Sequence, residues 1–288
     1  MSRRMRTYYY AILGAIGGLI GWQISDLLGL SFTPNLFLSE AVVGALIGLS
    51  VGLLIGATEG VVTLNPRRAI RAGLFSGPLG LIAGAIGLPL GEGLFQLAGA
   101  EVLGRALGWG LFGLLLGVAE GITGKTQMWK GALGGLLGGL LGGALLEGAR
   151  QWPLFGSDPL VGKAAGLVLL GASVGAFIAL IAVLLSRAWL EVASGKLKGA
   201  EFILDKFMSP NGPSAIIGSD ALKADIVLPD PDIAPQHAML IGAGTHFNLK
   251  DMSLSGTYVN NHKIEMAAIA DLQKIRVGST ELVYHEKR

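Results

Sequence analysis

Glycine recurs at every fourth position from Gly44 to Gly60, in the run GALIGLSVGLLIGATEG, and most residues between are apolar. Residues four apart stack on one face of a helix. The pattern therefore predicts an apolar helix with a strip of bare backbone down one side. In water each interior glycine costs such a helix about 1 kcal/mol relative to alanine. In a bilayer the strip is useful, because small residues let helix backbones approach closely and pack. The same spacing returns at Gly14 and Gly18, at Gly113, Gly117 and Gly121, and at Gly131, Gly135, Gly139 and Gly143. A glycine-zipper bundle of membrane helices is expected.

Only 15% of the 288 residues are charged, against about 25% in ordinary soluble domains. Charge is sparse up to about residue 189 and ordinary after it. That shift divides the chain into a polytopic membrane domain, 1–189, and a second domain, 190–288. Six spans are predicted: Tyr8 to about Leu30, then near Ala41–Leu64, Ala72–Phe95, Val102–Thr123, Gly131–Leu146 and Val161–Leu185. The fifth is short against the roughly 20 residues that a crossing needs. Pro78 and Pro89 are expected to kink or break the third. The first run lacks an A-x-A site and is followed by more spans, so it reads as a span rather than a cleaved leader. Tyr8, Tyr9 and Tyr10 suit the membrane surface.

Basic residues gather before the first span (Arg3, Arg4, Arg6), between the second and third (Arg67, Arg68, Arg71), between the fourth and fifth (Lys125, Lys130) and after the sixth (Arg187, Lys196, Lys198). By the positive-inside rule both termini are cytoplasmic, in a multi-pass plasma (inner) membrane protein. GLLIGATEG at 52–60 matches GLLLGVAEG at 113–121, with a weaker copy, LLGASVG, at 169–175. Glu92–Gln96 and Glu147–Gln151 share Glu-Gly-x-x-Gln. Three repeated helical hairpins are expected. Glu59 and Glu120 are candidate acids for an ion or proton pathway. Neither lies at mid-span, so pairing with Arg67, Arg68 or Lys125 at the membrane surface is the favoured reading.

No cysteine is present and the net charge is +2. These exclude a disulfide framework and give no sign of nucleic-acid binding. Nucleophile–base pairs, metal spacings and phosphate loops are also missing, so neither an enzyme nor a bound cofactor or metal is expected. Gly121-Ile-Thr-Gly-Lys-Thr126 ends like a phosphate loop but lacks its spacing.

From Leu190 the chain reads as short strands separated by turn residues, the pattern of an all-β sandwich. It contains a hairpin around Ser194–Lys196, then AIIGS, ADIVL, HAMLIGAGTHFNLKDM, TYVNNHKI and IRVGSTELVYHE. Ile217-Gly218, Asp225–Leu228, His237-Ala238, Asp251, Gly256-Thr257, Val259 and Asn260 together resemble the forkhead-associated (FHA) domain. The resemblance implies an eleven-stranded type of sandwich with binding loops at one end and, in a partner protein, a phosphothreonine as ligand. It also implies structural roles for Gly218 and His237 and a peptide-holding role for Asn260. The family's usual arginine after the first glycine is Ser219 here. Its usual serine is Ala234, followed by Pro235 where a basic residue is common, and its usual asparagine before Gly-Thr is Ser255.

The expected partner-binding residues are therefore Ser219, Ala234, Pro235, Gln236, Ser255, Gly256, Thr257 and Asn260, around a degenerate phosphothreonine site. The function expected is a membrane-anchored scaffold that recruits a cytoplasmic protein. The alternative is a small channel or transporter regulated by its FHA-like domain. Exposed glycine strips make a homo-oligomer plausible.

Overall fold

The computed structural model describes residues 3–29, 35–62, 66–98, 101–123, 128–151 and 159–287. Arg6–Leu184 forms one compact unit, and the chain from Leu185 builds the other.

Among the described residues the first unit is built of helices: α1 (Arg3–Leu27), α2 (Leu36–Val62), α3 (Pro66–Ala98), α4 (Glu101–Thr123), α5 (Met128–Gln151) and α6 (Pro159–Leu184). Among the described residues, Leu36–Val61, Ala69–Leu94, Met128–Ala149 and Leu160–Leu184 are long and apolar enough to cross a membrane. The apolar part of α4, Ala106–Ile122, is shorter. Polar residues from Arg6 to Tyr10 and at Gln23 and Asp26 dilute α1. The fifth helix is longer than its apolar run suggested, because Met128–Lys130 and Glu147–Gln151 extend it at both ends. Helix α3 runs through both Pro78 and Pro89 without an assigned break. Neighbouring helices can re-satisfy backbone groups that proline frees.

The glycines set how the helices meet. A Cβ built on Gly48 would lie on the Gly80 carbonyl oxygen, and one on Gly80 would lie on that of Gly48. Gly44 and Gly84 stand in the same relation, as do Gly113 with Gly135 and Gly117 with Gly131. These pairs fix α2 against α3 and α4 against α5, antiparallel, with no room for a side chain between them. A third pair of helices, α1 and α6, is joined in the same way by Gly14 and Gly171. In the repeat, Gly56, Gly117 and Gly171 are equivalent, and they face Ala72, Gly131 and Gly14. The three related helix pairs are therefore α2–α3 and α4–α5, which are hairpins, and α1–α6, which is made from the two ends of the segment.

A second set of contacts links the pairs. The Ser50 hydroxyl donates to the Gly17 carbonyl at 2.7 Å, tying α2 to α1. Gly91 meets Gly108 between α3 and α4, and Gly138 and Gly142 meet Val174 and Leu170 between α5 and α6. The six helices close into a ring around Ile47, Val51, Ile55, Phe112, Leu116, Leu170 and Val174, all buried.

The second unit has eleven strands: β1 (Ala188–Val192), β2 (Glu201–Ile203), β3 (Ala215–Gly218), β4 (Ile226–Val227), β5 (Ala238–Gly242), β6 (Phe247–Asp251), β7 (Thr257–Val259), β8 (His262–Ile264), β9 (Met266–Ile269), β10 (Lys274–Val277) and β11 (Thr280–Glu286). One sheet has the order β2-β1-β11-β10-β7-β8 and the other β4-β3-β5-β6-β9. Alternate residues of the strands point inward, so Leu190, Ile217, Leu240, Phe247, Leu249, Ile275, Leu282 and Tyr284 form the core between the sheets. Strand β9 has no clear counterpart in the sequence pattern, since its alanines favour strands weakly. It forms because β6 offers a ladder, with Phe247 opposite Ile269 and Lys250 opposite Met266.

This packing predicts opposite outcomes for two glycines. Gly48→Val must push α2 away from α3 and should destabilise the detergent-purified chain by about 1–3 kcal/mol in thermal unfolding. Nothing lies within 4 Å of a Cβ at Gly148, so Gly148→Ala should be neutral or stabilising by up to about 1 kcal/mol. Equal losses at both positions would contradict the packing.

Candidate functional site

Three loops of the sandwich are tied into one lattice. At the end of β3, Gly218 lets the chain pass against the next loop, since a Cβ there would strike the Pro235 carbonyl. The Ser219 amide donates to the Ala234 carbonyl at 3.1 Å, and its hydroxyl donates to the Ile233 carbonyl at 2.8 Å. The expected outward donor at Ser219 is thus spent inside the protein, because the adjacent loop turns an unpaired carbonyl toward it. The Ala234 amide donates to Nδ1 of His237 at 3.1 Å. Since Nδ1 accepts, the proton of this fully buried ring belongs on Nε2, which faces the Gly256 carbonyl at 3.3 Å. The imidazole therefore joins the β4–β5 loop to the β6–β7 loop, and Ser219 joins the β3–β4 loop to the same β4–β5 loop through Ile233 and Ala234.

The β6–β7 loop is folded around Asp251. Its Oδ1 accepts the Ser253 amide at 3.1 Å, the Ser253 hydroxyl at 2.9 Å and the Thr257 hydroxyl at 2.8 Å. The Gly256 amide donates to the Ser253 hydroxyl at 2.9 Å. Gly256 itself has φ +90°, a conformation that glycine adopts without strain. Leu254 and Ser255, at the tip, are exposed.

The structure thus joins Ser219, Ala234, His237 and Gly256 in one hydrogen-bonded chain, with Gly218 and Pro235 in contact. Pro235 is exposed and Gln236 half-buried beside them, while Thr257 is fully buried. Asn260 stands at the far end of β7, with φ 47°. Its Oδ1 accepts the Lys274 amide at 3.1 Å, so half of its amide group braces β10.

Asp230 carried no sequence signal but is central to the same region. Its Oδ2 accepts the Ser279 hydroxyl at 2.6 Å, the Ser279 amide at 3.1 Å and the Thr280 hydroxyl at 2.9 Å, and its Oδ1 accepts the Asp232 amide at 3.0 Å. It ties the β4–β5 loop to the β10–β11 turn. Burial opposes its charge, but these donors outweigh that and hold its carboxyl below the ordinary range. Asp251 is lowered in the same way, by the Ser253 and Thr257 donors acting against burial.

In the helical unit Glu59 and Glu120 come together with residues from other helices. Glu59 forms an ion pair with Arg6 of α1. Glu120 accepts from the Tyr10 hydroxyl at 3.4 Å and from the Ser76 hydroxyl at 3.3 Å. The Arg6 guanidinium lies 5.7 Å from the Tyr10 ring centre. Arg6 is thus a partner that the sequence did not point to, and the expected pairing with the Arg68 side chain or Lys125 lies outside the described residues. Repeat symmetry explains the set. Glu59 and Glu120 are equivalent, the third position is the buried Val174, and α1 supplies a cation instead of a third acid. Among the described residues no group of three histidines or carboxylates assembles as a metal site.

Residues 191–287 match the Yop-YscD family model, described as the cytoplasmic domain of an inner membrane component of T3SS. The glycogen accumulation regulator GarA of Mycobacterium tuberculosis is 31% identical over 98 residues, which are 34% of this chain and 56% of GarA. GarA of Mycolicibacterium smegmatis is 32% identical over 98 residues, 34% of this chain and 58% of its own length. This chain therefore spans little more than half the length of these curated relatives. Among solved structures, the FHA domain of the CT664 protein from Chlamydia trachomatis is 35% identical, with a TM-score of 0.32, covering 36% of this chain and all of that one. The C-terminal unit is an FHA-like sandwich.

The two lowered carboxylates give the sandwich a defined acid response. Their stabilisation is complete above the unfolded carboxylate range, near pH 4, and is lost as pH falls through the lower folded values. Hydrogen exchange of the full chain should therefore quicken around 230–237 and 251–257 as pH drops below about 4, after correction for intrinsic rates. Asp230→Asn should destabilise the sandwich by about 1–3 kcal/mol and weaken that response; an unchanged profile would exclude Asp230 as the tie.

Proposed function

We propose that the chain is a membrane-anchored scaffold whose FHA-like sandwich docks a cytoplasmic protein through a face presented by Pro235, Gln236, Ser255 and Asn260, with Ser219, Ala234, Gly256 and Thr257 holding its loops in place. In this reading residues 1–189 are the membrane domain, all six helices cross a plasma (inner) membrane, and 190–288 lies in the cytoplasm with the N-terminus. The observation that carries it is the His237-centred lattice. Loops that only connected strands would not need bracing by a buried ring and an inward-turned Ser219, whereas a docking surface gains affinity when its loops are already ordered. The family match supports the cytoplasmic placement, because the matched model is described as a cytoplasmic domain of an inner membrane component.

Docking here does not use the family's usual phosphate contacts. Ser219 supplies no positive charge and its hydroxyl is bonded inward, so a phosphorylated threonine has no guanidinium waiting at that position. The role is recognition rather than catalysis. The joining of Glu59 and Glu120 to Arg6, Tyr10 and Ser76 supports a structural role for these acids over a conduction path.

The absence of cysteine makes the topology directly testable. A cysteine at Leu254 should react with a membrane-impermeant maleimide in inside-out vesicles and not in intact cells, and one at Asp26 should do the reverse. The opposite pattern would exclude a cytoplasmic sandwich. Docking is tested by in-cell crosslinking followed by purification of the full chain. Leu254→Glu, at a fully exposed position, should remove the specific crosslinked protein. Retention of every crosslink by both Leu254→Glu and Ser255→Trp would sink the loop-face reading.

A further inference from the structure

Lys263 lies on β8, directly opposite Tyr258 of β7. The Tyr258 ring is already held by Arg276, whose guanidinium is 4.0 Å from the ring centre. Lys263 extends instead across Gly256: a Cβ built there would lie 2.5 Å from its Cε and 3.0 Å from its Nζ. Lys263 is exposed, and its ammonium forms no ion pair or hydrogen bond among the described residues. The ammonium therefore stands, solvated and unpaired, beside the loop that His237 holds in place.

The next residue along that loop completes the arrangement. Ser255 immediately precedes Gly256 and is exposed, and its amide and hydroxyl make no hydrogen bond among the described residues. Its neighbours are all engaged: Gly256 donates to Ser253, Thr257 to Asp251, and the Gly256 carbonyl faces His237. Of the acids nearest in sequence, Asp251 has its Oδ1 occupied by three donors from within the loop, and Glu265, two residues beyond Lys263, is exposed and makes no ion pair with it among the described residues. Beside this cluster the exposed side chains of Met252 and Leu254 offer apolar contact.

We propose that Lys263 and Ser255 form an anion-recognition site on the loop face, which receives one negatively charged side chain of the docked protein. The inference rests on the docking reading above and names its chemistry. A cation placed with an amide and a hydroxyl suits a phosphate or a carboxylate, so the anion is a phosphothreonine or a glutamate or aspartate of the partner. Positive charge absent from the Ser219 position is supplied from the opposite side of the loop. Lysine meets the anion as a point charge rather than as a planar fork, so the site does not demand phosphate geometry.

The experiment uses the full chain in nanodiscs and three degenerate peptide pools that differ only at the central residue: threonine, phosphothreonine or glutamate. Binding is read by fluorescence anisotropy at two salt concentrations. At least one anionic pool should bind about tenfold or more tightly than the threonine pool, and the preference should weaken at the higher salt. Lys263→Gln should abolish the preference and Lys263→Arg should restore most of it. Tight binding of the phosphothreonine pool alone identifies the anion as phosphate; binding of both anionic pools identifies negative charge as sufficient. An anionic preference that survives Lys263→Gln, or no anionic preference in any pool, overturns the inference. Leu254→Glu separates that failure from failure of the docking reading. If it weakens threonine-pool binding while charge has no effect, the face docks protein without this anion site. If no binding responds to Leu254→Glu or Ser255→Trp, the docking reading falls with it.

Discussion

Backbone placed where a side chain would otherwise be is the constraint on which both units depend. In the helical ring, Gly48 and Gly80, Gly113 and Gly135, and Gly14 and Gly171 each put a carbonyl oxygen into the space of a partner's missing Cβ. In the sandwich, the same relation holds Gly218 against the Pro235 carbonyl and Gly242 against Phe207 and Met208. In a bilayer, where burying apolar surface between helices gains little, such contacts replace the hydrophobic drive with close packing. In the sandwich they serve position: the chain at the end of β3 must pass close to the β4–β5 loop for Ser219 to reach Ile233 and Ala234.

The ring shows how a repeat can be used without strict copying. Gly56, Gly117 and Gly171 persist at one position of the repeat, and Gly60, Gly121 and Gly175 at another, whereas the facing position is Ala72 in one pair and Gly131 and Gly14 in the others. The acid does not persist. Glu59 and Glu120 occupy two equivalent positions, and Val174 takes the third. A third carboxylate beside the first two would add repulsion in a poorly solvated place, where like charges interact strongly. Arg6 and Tyr10 of α1 meet the two acids instead, so the polar cluster connects four helices.

At the sandwich, hydrogen bonds have been redistributed from ligand to loop. Ser219 and half of the Asn260 amide, both implied as ligand contacts by family resemblance, are engaged with Ile233 and Lys274. Asp230, Asp251 and His237 do most of the internal bracing. Each bonds to several partners at once, and a buried polar group with its partners satisfied orders the chain around it. What is left outward is narrow: an exposed loop tip, the Ser255 donors and the ammonium of Lys263.

Much of this was legible in the chain itself. Helix and strand periods differ enough that the change near residue 189 marks where one architecture gives way to the other, and glycine spacing alone names the faces on which α2 to α5 meet. The FHA-like frame was legible because Gly218, His237 and Gly256-Thr257 are required by backbone geometry rather than by ligand. Strand β9 was not legible, since a neighbouring ladder rather than its own alanines makes it a strand. The pairing of α1 with α6, the choice of Arg6 for Glu59, the inward turn of the Ser219 hydroxyl and the reach of Lys263 to Gly256 join residues far apart in the chain or depend on which way one side chain turns. Sequence determined the local conformations and the faces to be buried, because those follow from residue type and spacing. Only the tertiary structure decided which distant groups meet, because a hydrogen bond or ion pair forms with whatever folding brings within about 3 Å.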